Sequence, residues 1–414
     1  MTPRQILSYG ALGAPLSAAA LPIYVHIPKL YAEHFGVALG ALGAVLFGAR
    51  LLDALADPLI GAISDRARSR RLLVLLGLLP LAAGLLLLVR PAAGIDPLLW
   101  LVGSLLLVYA GYSLASINYA AWGAELSSSS SLATRLAAAR EGWGLIGVIT
   151  ASIAPGLLAA DAPTGLWRAV LYWLPWLALA ALLSASGVPD RRPAPDGQAL
   201  GRVLGGVLAH RRFRLLVAVF ALNGIASAVP ATLVLFFVAD LLQASQHEGL
   251  FLGLYFIAGI CALPLWTRLA DRYGRARAWL GSMLLAIVAF AWAGTLGPGD
   301  LVAFALICIG SGVALGADLA LPPAMLAGLI GDPKERLSAG GSFGVWTFVT
   351  KLNLALAAGL ALPLLALLGY APGSPDAAGR AALTAVYALL PLVLKGAAAA
   401  LLWWCAPTIE GEST

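Results

Sequence analysis

Three ionisable side chains share one short stretch of an otherwise apolar run. The stretch reads Gly-Ala-Arg-Leu-Leu-Asp-Ala-Leu-Ala-Asp-Pro and places Arg50, Asp53 and Asp57 at positions i, i+3 and i+7. On an α-helix this spacing puts the three side chains within about 60° of one another, on a single stripe. Charges at membrane depth cost several kcal/mol unless they are paired or hydrated, so they usually mark an ion or substrate path.

Two carboxylates one helical turn apart have a specific chemistry. Their oxygens can converge on a sodium ion, which prefers oxygen ligands as other hard cations do. Alternatively, like-charge repulsion and loss of hydration favour the protonated form of one carboxyl, which then carries a proton near neutral pH. The spacing predicts that Asp53 and Asp57 bind a coupling cation, with Arg50 as a charge partner. Two other interpretations stay open: a purely structural charge cluster and direct binding of substrate.

Other polar or aromatic residues within apolar runs are candidates for a substrate cavity: Tyr112, Ser116, Asn118, Tyr119, Asn223, Asp318, Trp346 and Thr350. In the run around Tyr112 and Tyr119, the helical spacing fits a cavity wall and helix-to-helix hydrogen bonding equally well. Lys351 lies inside an apolar run and is a second potential partner for the aspartates. A Pro-Pro pair follows Asp318 and is expected to break its helix, a common device near transport sites.

Membrane helices must position these residues, because the composition leaves little alternative. The 414-residue chain is 61% hydrophobic and only 11% charged, against about 25% charged residues in soluble domains. Apolar runs long enough to cross a bilayer recur throughout without period-two alternation, so they predict helices rather than barrel strands. We predict twelve spans, at residues 5–28, 37–62, 72–90, 98–124, 138–160, 166–187, 213–240, 249–268, 278–296, 301–329, 340–369 and 381–405.

The predicted fold class is an all-α membrane protein with twelve transmembrane helices in two pseudo-symmetric six-helix bundles. A polar, proline-rich stretch predicts a division into an N-terminal bundle, a cytoplasmic linker and a C-terminal bundle, at residues 1–188, 189–212 and 213–414. An internal repeat supports this division, because an Asp-Arg pair follows both the second and the eighth span. The predicted gating loops contain both pairs and one further arginine: Asp65, Arg66, Arg140, Asp271 and Arg272.

The basic residues orient the chain. With the amino terminus inside, nineteen Lys and Arg residues fall in predicted cytoplasmic loops and four in outer loops, as the positive-inside rule requires. Topology therefore explains the net charge of +6, and we expect no nucleic-acid partner. We expect a monomeric, multi-pass protein of the bacterial inner membrane with both termini cytoplasmic. Its expected partners are a small-molecule solute and the lipid bilayer, with no cofactor beyond the coupling ion.

Three groups of motifs resemble the glycoside-pentoside-hexuronide:cation symporters of the major facilitator superfamily, the family that includes melibiose permease. The matching stretches are Ala49–Pro58 with Ser64–Arg66, Asn118–Leu126 through Arg135–Arg140, and Phe343–Lys351 through Leu368–Tyr370.

The resemblance implies roles for four charged residues. It implies that Asp53 and Asp57 are the carboxylates of the family's cation site. It also implies that Lys351 is the family's lysine of helix eleven and that Arg50 is its arginine of helix two. Melibiose carriers place a further aspartate in helix four that contacts sugar, but the corresponding stretch Leu114–Asn118 contains no acid.

The function that the resemblance implies is secondary active symport by alternating access, in which a sodium or proton gradient drives a small solute such as a sugar or glycoside. The alternative substrate is an amphipathic lipid such as a lysophospholipid, because the same resemblance extends to carriers of that kind. An integral membrane enzyme is a third interpretation. The four histidines show no nucleophile–base or metal-ligand pattern, so we expect a transporter without catalytic residues.

Overall fold

The computed structural model describes residues 1–37, 39–92, 94–159, 161–190, 200–332, 335, 337–370 and 376–410. Within these residues the regular structure is helical, and no β-strand is present. The linker stretch predicted from residues 191–198 lies outside the described residues, as do four of the basic residues used for orientation, Arg191, Arg192, Lys334 and Arg336.

The described part of the chain contains fifteen α-helices, α1 (Pro3–Ala11), α2 (Gly13–Glu33), α3 (Leu39–Ser64), α4 (Arg70–Val89), α5 (Pro97–Leu126), α6 (Ser130–Leu158), α7 (Ala162–Gly187), α8 (Leu200–Ala209), α9 (Arg211–Phe236), α10 (Glu248–Tyr273), α11 (Arg275–Ala291), α12 (Leu301–Ile330), α13 (Ala339–Leu367), α14 (Ala377–Thr384) and α15 (Leu390–Glu410). Two π-helical turns, Phe237–Leu241 and Ala385–Leu389, follow α9 and α14. All twelve predicted spans coincide with helices, although the first comprises α1 and α2 and the last comprises α14 and α15.

The outer surfaces of the helices are apolar. In the part of the chain that the structure describes, nine helical stretches are long and hydrophobic enough to cross a bilayer, from Arg70–Val89 to Ala377–Glu410. Large side chains such as Leu79, Val302 and Trp404 are 67%, 76% and 69% exposed. Soluble proteins rarely expose large apolar patches, whereas lipid solvates them and leaves the backbone to pair within helices.

Short polar side chains start several of these helices. Ser69, Asp96, Ser129 and Asp161 each accept main-chain N–H groups from the first turn of α4, α5, α6 and α7. These caps satisfy donors that have no partner inside a helix. Hydrogen bonds from the hydroxyl and main-chain N–H of Thr164 also hold the pKa of the exposed Asp161 carboxyl below its ordinary value.

The proline pair after Asp318 does not break its helix, so this expectation was wrong. α12 continues from Leu301 to Ile330 through both Pro322 and Pro323. The prolines remove the donors to the carbonyls of Asp318 and Leu319, four residues earlier. A membrane helix tolerates such a loss because lipid offers the backbone no better arrangement than the helical one.

The chain forms two compact units. Unit 1 comprises Met1–Val207 and Ala327–Phe348, so it includes the end of α12 and the beginning of α13. Unit 2 comprises Leu208–Leu326 and Val349–Thr414. The predicted bundle boundaries follow span order rather than packing, and they stay a prediction.

Each unit has its own apolar core. In unit 1, α4 packs on α5, and α6 packs on α2 and α7, around buried residues such as Leu81 and Leu105. In unit 2, α15 packs on α9 and α11. The stacked rings of Phe237 and Tyr387, with centroids 4.0 Å apart, lie at the core of unit 2. These cores fix the helices that carry the polar residues described next.

Candidate functional site

The predicted cation pair lies in α3 of unit 1. This helix contains Arg50, Asp53 and Asp57 on consecutive turns. Asp57 is fully buried and Asp53 is 8% exposed, whereas Arg50 is partly buried. Ser113 on α5 donates a hydrogen bond from its Oγ to Asp53 Oδ1 at 2.8 Å. Loss of hydration disfavours a buried carboxylate, and such a donor offsets part of that cost.

A proline follows the second aspartate directly. Pro58 lies inside α3 and has no N–H to donate to the carbonyl of Ala54, four residues earlier. Ala54 is buried, and its carbonyl oxygen lacks the usual donor four residues further along the helix. Gly344 of α13 packs against this turn, and a Cβ added there would lie 2.6 Å from the carbonyl oxygen of Asp57. The missing side chain of Gly344 therefore permits the close approach of α13.

A buried arginine joins the ends of three helices in unit 1. Arg70 at the start of α4 is 1% exposed and donates to Asp65 Oδ1 at 2.5 Å, Asn118 Oδ1 at 3.0 Å and Glu125 Oε1 at 3.0 Å. Asn118 in turn donates to Ser64 Oγ at 2.9 Å. A buried ion pair is tolerated only when further hydrogen bonds satisfy the charged groups, as the guanidinium fork does here.

Asp65 also binds the beginning of α13. Its Oδ1 accepts the main-chain N–H of Gly340 and its Oδ2 accepts that of Gly341, both at 2.8 Å. The N–H groups of the first helical turn lack helical acceptors, and the helix dipole favours negative charge at that end. Asp65 therefore acts as a charged cap that holds α13 to the end of α3.

The other residues of the predicted gating loops have different surroundings. Asp271 and Arg272, the second copy of the repeat, have exposed side chains near the end of α10, and Arg66 is exposed as well. Arg140 on α6 forms an ion pair of 2.6 Å with the glutamate that follows it. The structure brings only Asp65 of this group into the Arg70 network, and the gating roles stay a prediction.

The cavity candidates on α5 include two residues that bond to neighbouring helices. The hydroxyl of Tyr119 donates to the carbonyl of Tyr9 on α1, and the hydroxyl of Tyr9 donates to the carbonyl of Tyr119 at 2.9 Å. Asn118 and Tyr119 are buried, while Tyr112 and Ser116 are partly buried. Helix-to-helix hydrogen bonding is thus one use of Asn118 and Tyr119, and a place in a substrate cavity stays a prediction for all four.

In unit 2, Asp318 belongs to a partly buried polar cluster. Lys395 Nζ on α15 lies 2.9 Å from Asp318 Oδ2 and 3.1 Å from Ser227 Oγ. Trp279 donates from Nε1 to Asp318 Oδ1 at 2.8 Å. Asp318 was predicted from the sequence to line a substrate cavity, whereas no role was predicted for Lys395. The available signal was that each carries a charge inside an apolar run.

The remaining candidates are divided between the units. Asn223 on α9 is buried in unit 2, and Trp346 on α13 is buried in unit 1. Thr350 is exposed and Lys351 is partly buried, and both belong to unit 2. The role of Lys351 as a partner of the aspartates therefore stays a prediction.

Sequence reasoning missed two polar residues of unit 1. Ser113, the donor to Asp53, directly follows Tyr112, and its residue type does not separate it from other serines in apolar runs. Arg70 was counted only as a topological signal. Glu125, a lone acid at the end of the fourth span, was the one clue that a buried cation might face it.

Comparison with known proteins gives a family and a fold. A family model described as MFS/sugar transport protein matches residues 6–406. The structure is similar to a bacterial homologue of the iron transporter ferroportin in its outward-facing state, with a TM-score of 0.73 and 17% identity over 98% of this chain and 100% of that chain. The structure is also similar to the E. coli fucose:proton symporter, with a TM-score of 0.70 and 14% identity over 97% of each chain. Similarity to a human organic anion transporter has a TM-score of 0.66, with 19% identity over 95% of this chain and 100% of that chain. At these identities the likeness shows the fold, and the predicted fold class is confirmed.

Proposed function

Because the chain belongs to the MFS/sugar transport protein family and is a multi-pass secondary transporter, we propose that it is a cation symporter whose coupling ion binds at Asp53 and Asp57. The family assignment agrees with the resemblance described above and excludes the enzyme interpretation. The coupling ion in this proposal is sodium or a proton, and the solute is a small sugar or glycoside.

The burial of two carboxylates on adjacent turns carries this proposal. Asp57 is fully buried and Asp53 nearly so, and a carboxylate at membrane depth is rare and usually marks an ion or substrate path. Arg50 supplies one positive charge on the same helix, so the three side chains formally leave one negative charge. A sodium ion or a proton neutralises that charge when it binds, which gives the bound and unbound states different electrostatic energies.

The oxygen atoms around the pair suit a hard monovalent cation. Both carboxylates contribute oxygens, and Ser113 Oγ lies 2.8 Å from Asp53. In the same helix the carbonyl of Ala54 lacks a helical donor, because residue 58 is a proline, and we propose that this oxygen is available to the ion. Carboxylate, hydroxyl and carbonyl oxygens are the ligands that hard cations prefer. A proton requires only one carboxyl, so the number of oxygens supports sodium without excluding a proton.

Coupling of the ion to a solute follows from the electrostatic cost of enclosing Asp53 and Asp57 when no ion is bound to them. Symport requires that the ion and the solute stabilise the same state of the protein, so that each binds more tightly when the other is bound. Neutralisation of the pair lowers the electrostatic cost of enclosing it in a low-dielectric interior. The inward gradient of the ion thereby drives accumulation of the solute. The proposed sugar class rests on the family description, and lysophospholipid is the alternative that the test below distinguishes.

The proposal is tested by uptake into proteoliposomes of the purified full-length protein, with sodium and proton gradients imposed separately. The solutes are radiolabelled melibiose, methyl β-glucoside and lysophosphatidylcholine, and binding of sodium-22 to the protein is measured in parallel. We expect Asp53→Asn and Asp57→Asn to abolish gradient-driven accumulation and ion binding while expression stays near normal.

Asp96→Asn is the matched control. Asp96 is an exposed cap of α5 that accepts the N–H groups of Leu98 and Leu99, and asparagine caps a helix about as well as aspartate does. This variant should behave as the unmodified protein. The pair does not couple transport if accumulation of the solute is the same with and without the sodium and proton gradients. The same conclusion follows if accumulation persists in both Asp53→Asn and Asp57→Asn.

A further inference from the structure

Unit 2 contains a cavity of about 210 Å³ between α9, α10, α11, α12 and the last helical segment. Its wall is largely apolar and includes the rings of Tyr255, Phe256, Phe290 and Tyr387. Ligand sites in proteins are typically concave and mostly apolar, with a few polar groups in the wall. A cavity of this size is therefore a candidate ligand site. It is smaller than the roughly 300–1,000 Å³ of pockets for drug-sized ligands, so its ligand must be small.

One end of the cavity is polar. Lys395, Asp318 and Ser227 line it, and the Lys395 ammonium donates to Asp318 at 2.9 Å and to Ser227 at 3.1 Å. Trp279 donates to the other oxygen of Asp318 at 2.8 Å. An ammonium has three N–H groups, and these two bonds use two of them. Among the described residues the third N–H has no acceptor, so the cavity wall presents one charged donor.

The main chain adds acceptors to the same wall. Pro230 lies inside α9 and Pro391 lies at the start of α15, and both line the cavity. Pro230 cannot donate to the carbonyl of Ala226, four residues earlier, and Pro391, which follows a π-helical turn, cannot donate to the main chain of that turn. Ala226 and Tyr387 also line the cavity. Tyr387 lies in the π-helical turn Ala385–Leu389, and such turns occur frequently at functional sites.

We propose that this cavity binds a small uncharged molecule with an aromatic or alicyclic body and one hydroxyl or carbonyl oxygen that accepts the third N–H of Lys395. The apolar rings bury the body of the ligand. The Lys395–Asp318 pair is neutral overall, and a charged ligand would add an uncompensated charge to a low-dielectric site. A hydroxyl can also donate to a carbonyl that a proline leaves without its helical donor.

This ligand site is separate from the aspartates of α3, because all its lining residues belong to unit 2. The inference does not depend on cation coupling. A protein that fails to couple transport to an ion can still bind this class of ligand, and the two proposals can fail independently.

The probe for the test is benzophenone, an uncharged aromatic ketone that on irradiation forms covalent bonds to neighbouring C–H groups. The full-length protein in lipid nanodiscs is irradiated with it, and the labelled peptides are identified by mass spectrometry. We expect labels on cavity residues.

Ala286→Phe fills the cavity from its buried wall and should reduce this labelling about tenfold, the effect of about 1.4 kcal/mol. Val288→Phe, two residues further along α11 at a position 73% exposed, is the matched control and should leave cavity labelling unchanged.

Competition identifies the head group of the ligand. Benzyl alcohol should displace benzophenone about fivefold more effectively than ethylbenzene, the effect expected of one hydrogen bond to a charged donor. Benzoate and benzylammonium should displace it less effectively than the alcohol. The double variant Lys395→Met/Asp318→Leu replaces the ion pair by apolar side chains of similar size, an exchange that buried pairs often tolerate. It should keep the labelling but lose the preference for the alcohol.

Three results would overturn the proposal. The first is labelling confined to lipid-facing positions and insensitive to Ala286→Phe. The second is equal competition by ethylbenzene and benzyl alcohol in the unmodified protein. The third is stronger competition by benzoate or benzylammonium, which would show that the site takes a charged ligand. Because the last two comparisons use the unmodified protein, the proposal stays testable even if a variant fails to fold.

Discussion

Asp65 Oδ1 accepts the main-chain N–H of Gly340 at 2.8 Å, so a carboxylate just beyond the end of α3 caps the beginning of α13. The same carboxylate receives the guanidinium of Arg70 at 2.5 Å. One residue thus links a buried cation to the positive end of a helix dipole.

Asp65→Asn should destabilise the protein. The amide keeps one acceptor oxygen but loses the negative charge that both Arg70 and the helix end favour, and hydrogen bonds to charged groups contribute about 1.5–3 kcal/mol each. The midpoint of thermal unfolding in detergent measures the effect. Asp271→Asn, at the equivalent place in the repeat where the side chain is exposed, is the control and should change the midpoint little. Equal shifts for the two variants would contradict a specific capping role.

Gly61→Ala should weaken the packing of α13 on α3. A Cβ at Gly61 would lie 2.8 Å from the carbonyl carbon of Gly340, so one backbone would have to move. Overpacking of this kind typically costs about 1–3 kcal/mol. Gly48→Ala, in the same helix, has no neighbouring atom within 4 Å and should be neutral or stabilising by up to about 1 kcal/mol. The same unfolding measurement compares them, and a neutral Gly61→Ala would show that the contact is loose.

Ser113→Ala should weaken binding of the coupling ion if that ion is sodium and strengthen it if that ion is a proton, because the Ser113 hydroxyl stabilises the charged carboxylate. The substitution removes the 2.8 Å hydrogen bond to Asp53, which changes the stabilisation of the carboxylate and removes a hydroxyl oxygen beside it. Loss of about 0.5–1.5 kcal/mol corresponds to a change of about 2- to 12-fold in the dissociation constant. The concentration of sodium or of protons that half-saturates uptake measures it. Ser104→Ala, also buried on α5, is the control, and an equal effect there would implicate general packing instead.

Lys351→Ala should impair uptake or change its dependence on the cation. This lysine is predicted either to pair with one of the aspartates or to compete with the ion for it, and removal of an ammonium changes the electrostatic energy of any carboxylate near it. Uptake as a function of sodium and proton concentration measures the change. Arg68→Ala, at an exposed position after α3, controls for loss of a positive charge. An unaltered cation dependence would count against a position of Lys351 near the pair.

Much of the fold could be predicted because lipid imposes a simple rule. Twenty-residue apolar runs must be helices, and the predicted spans coincide with helices for that reason. The same rule explains the failure at Pro322 and Pro323. A proline pair is a strong helix breaker in water, but in α12 the helix continues because the backbone has no other partner in lipid.

The candidate site could be predicted only where one helix determines it. Asp53 and Asp57 lie four residues apart, and the helical period alone places them on one face. Ser113 is sixty residues from Asp53, and its hydrogen bond depends on how α5 packs on α3. The Arg70 network and the Lys395–Asp318 pair likewise join residues from different helices. Sequence spacing contains no information on which helices are neighbours, so these partners had to be found in the structure.

The seam between α3 and α13 has a mechanical consequence. Gly61, Gly340 and Gly344 let the two backbones approach each other closely, because none of the three has a side chain. Asp65 adds two hydrogen bonds to main-chain N–H groups of α13. Separation of α13 from α3 would therefore break two hydrogen bonds to a charged acceptor, but it would require no side chain at Gly61, Gly340 or Gly344 to change rotamer.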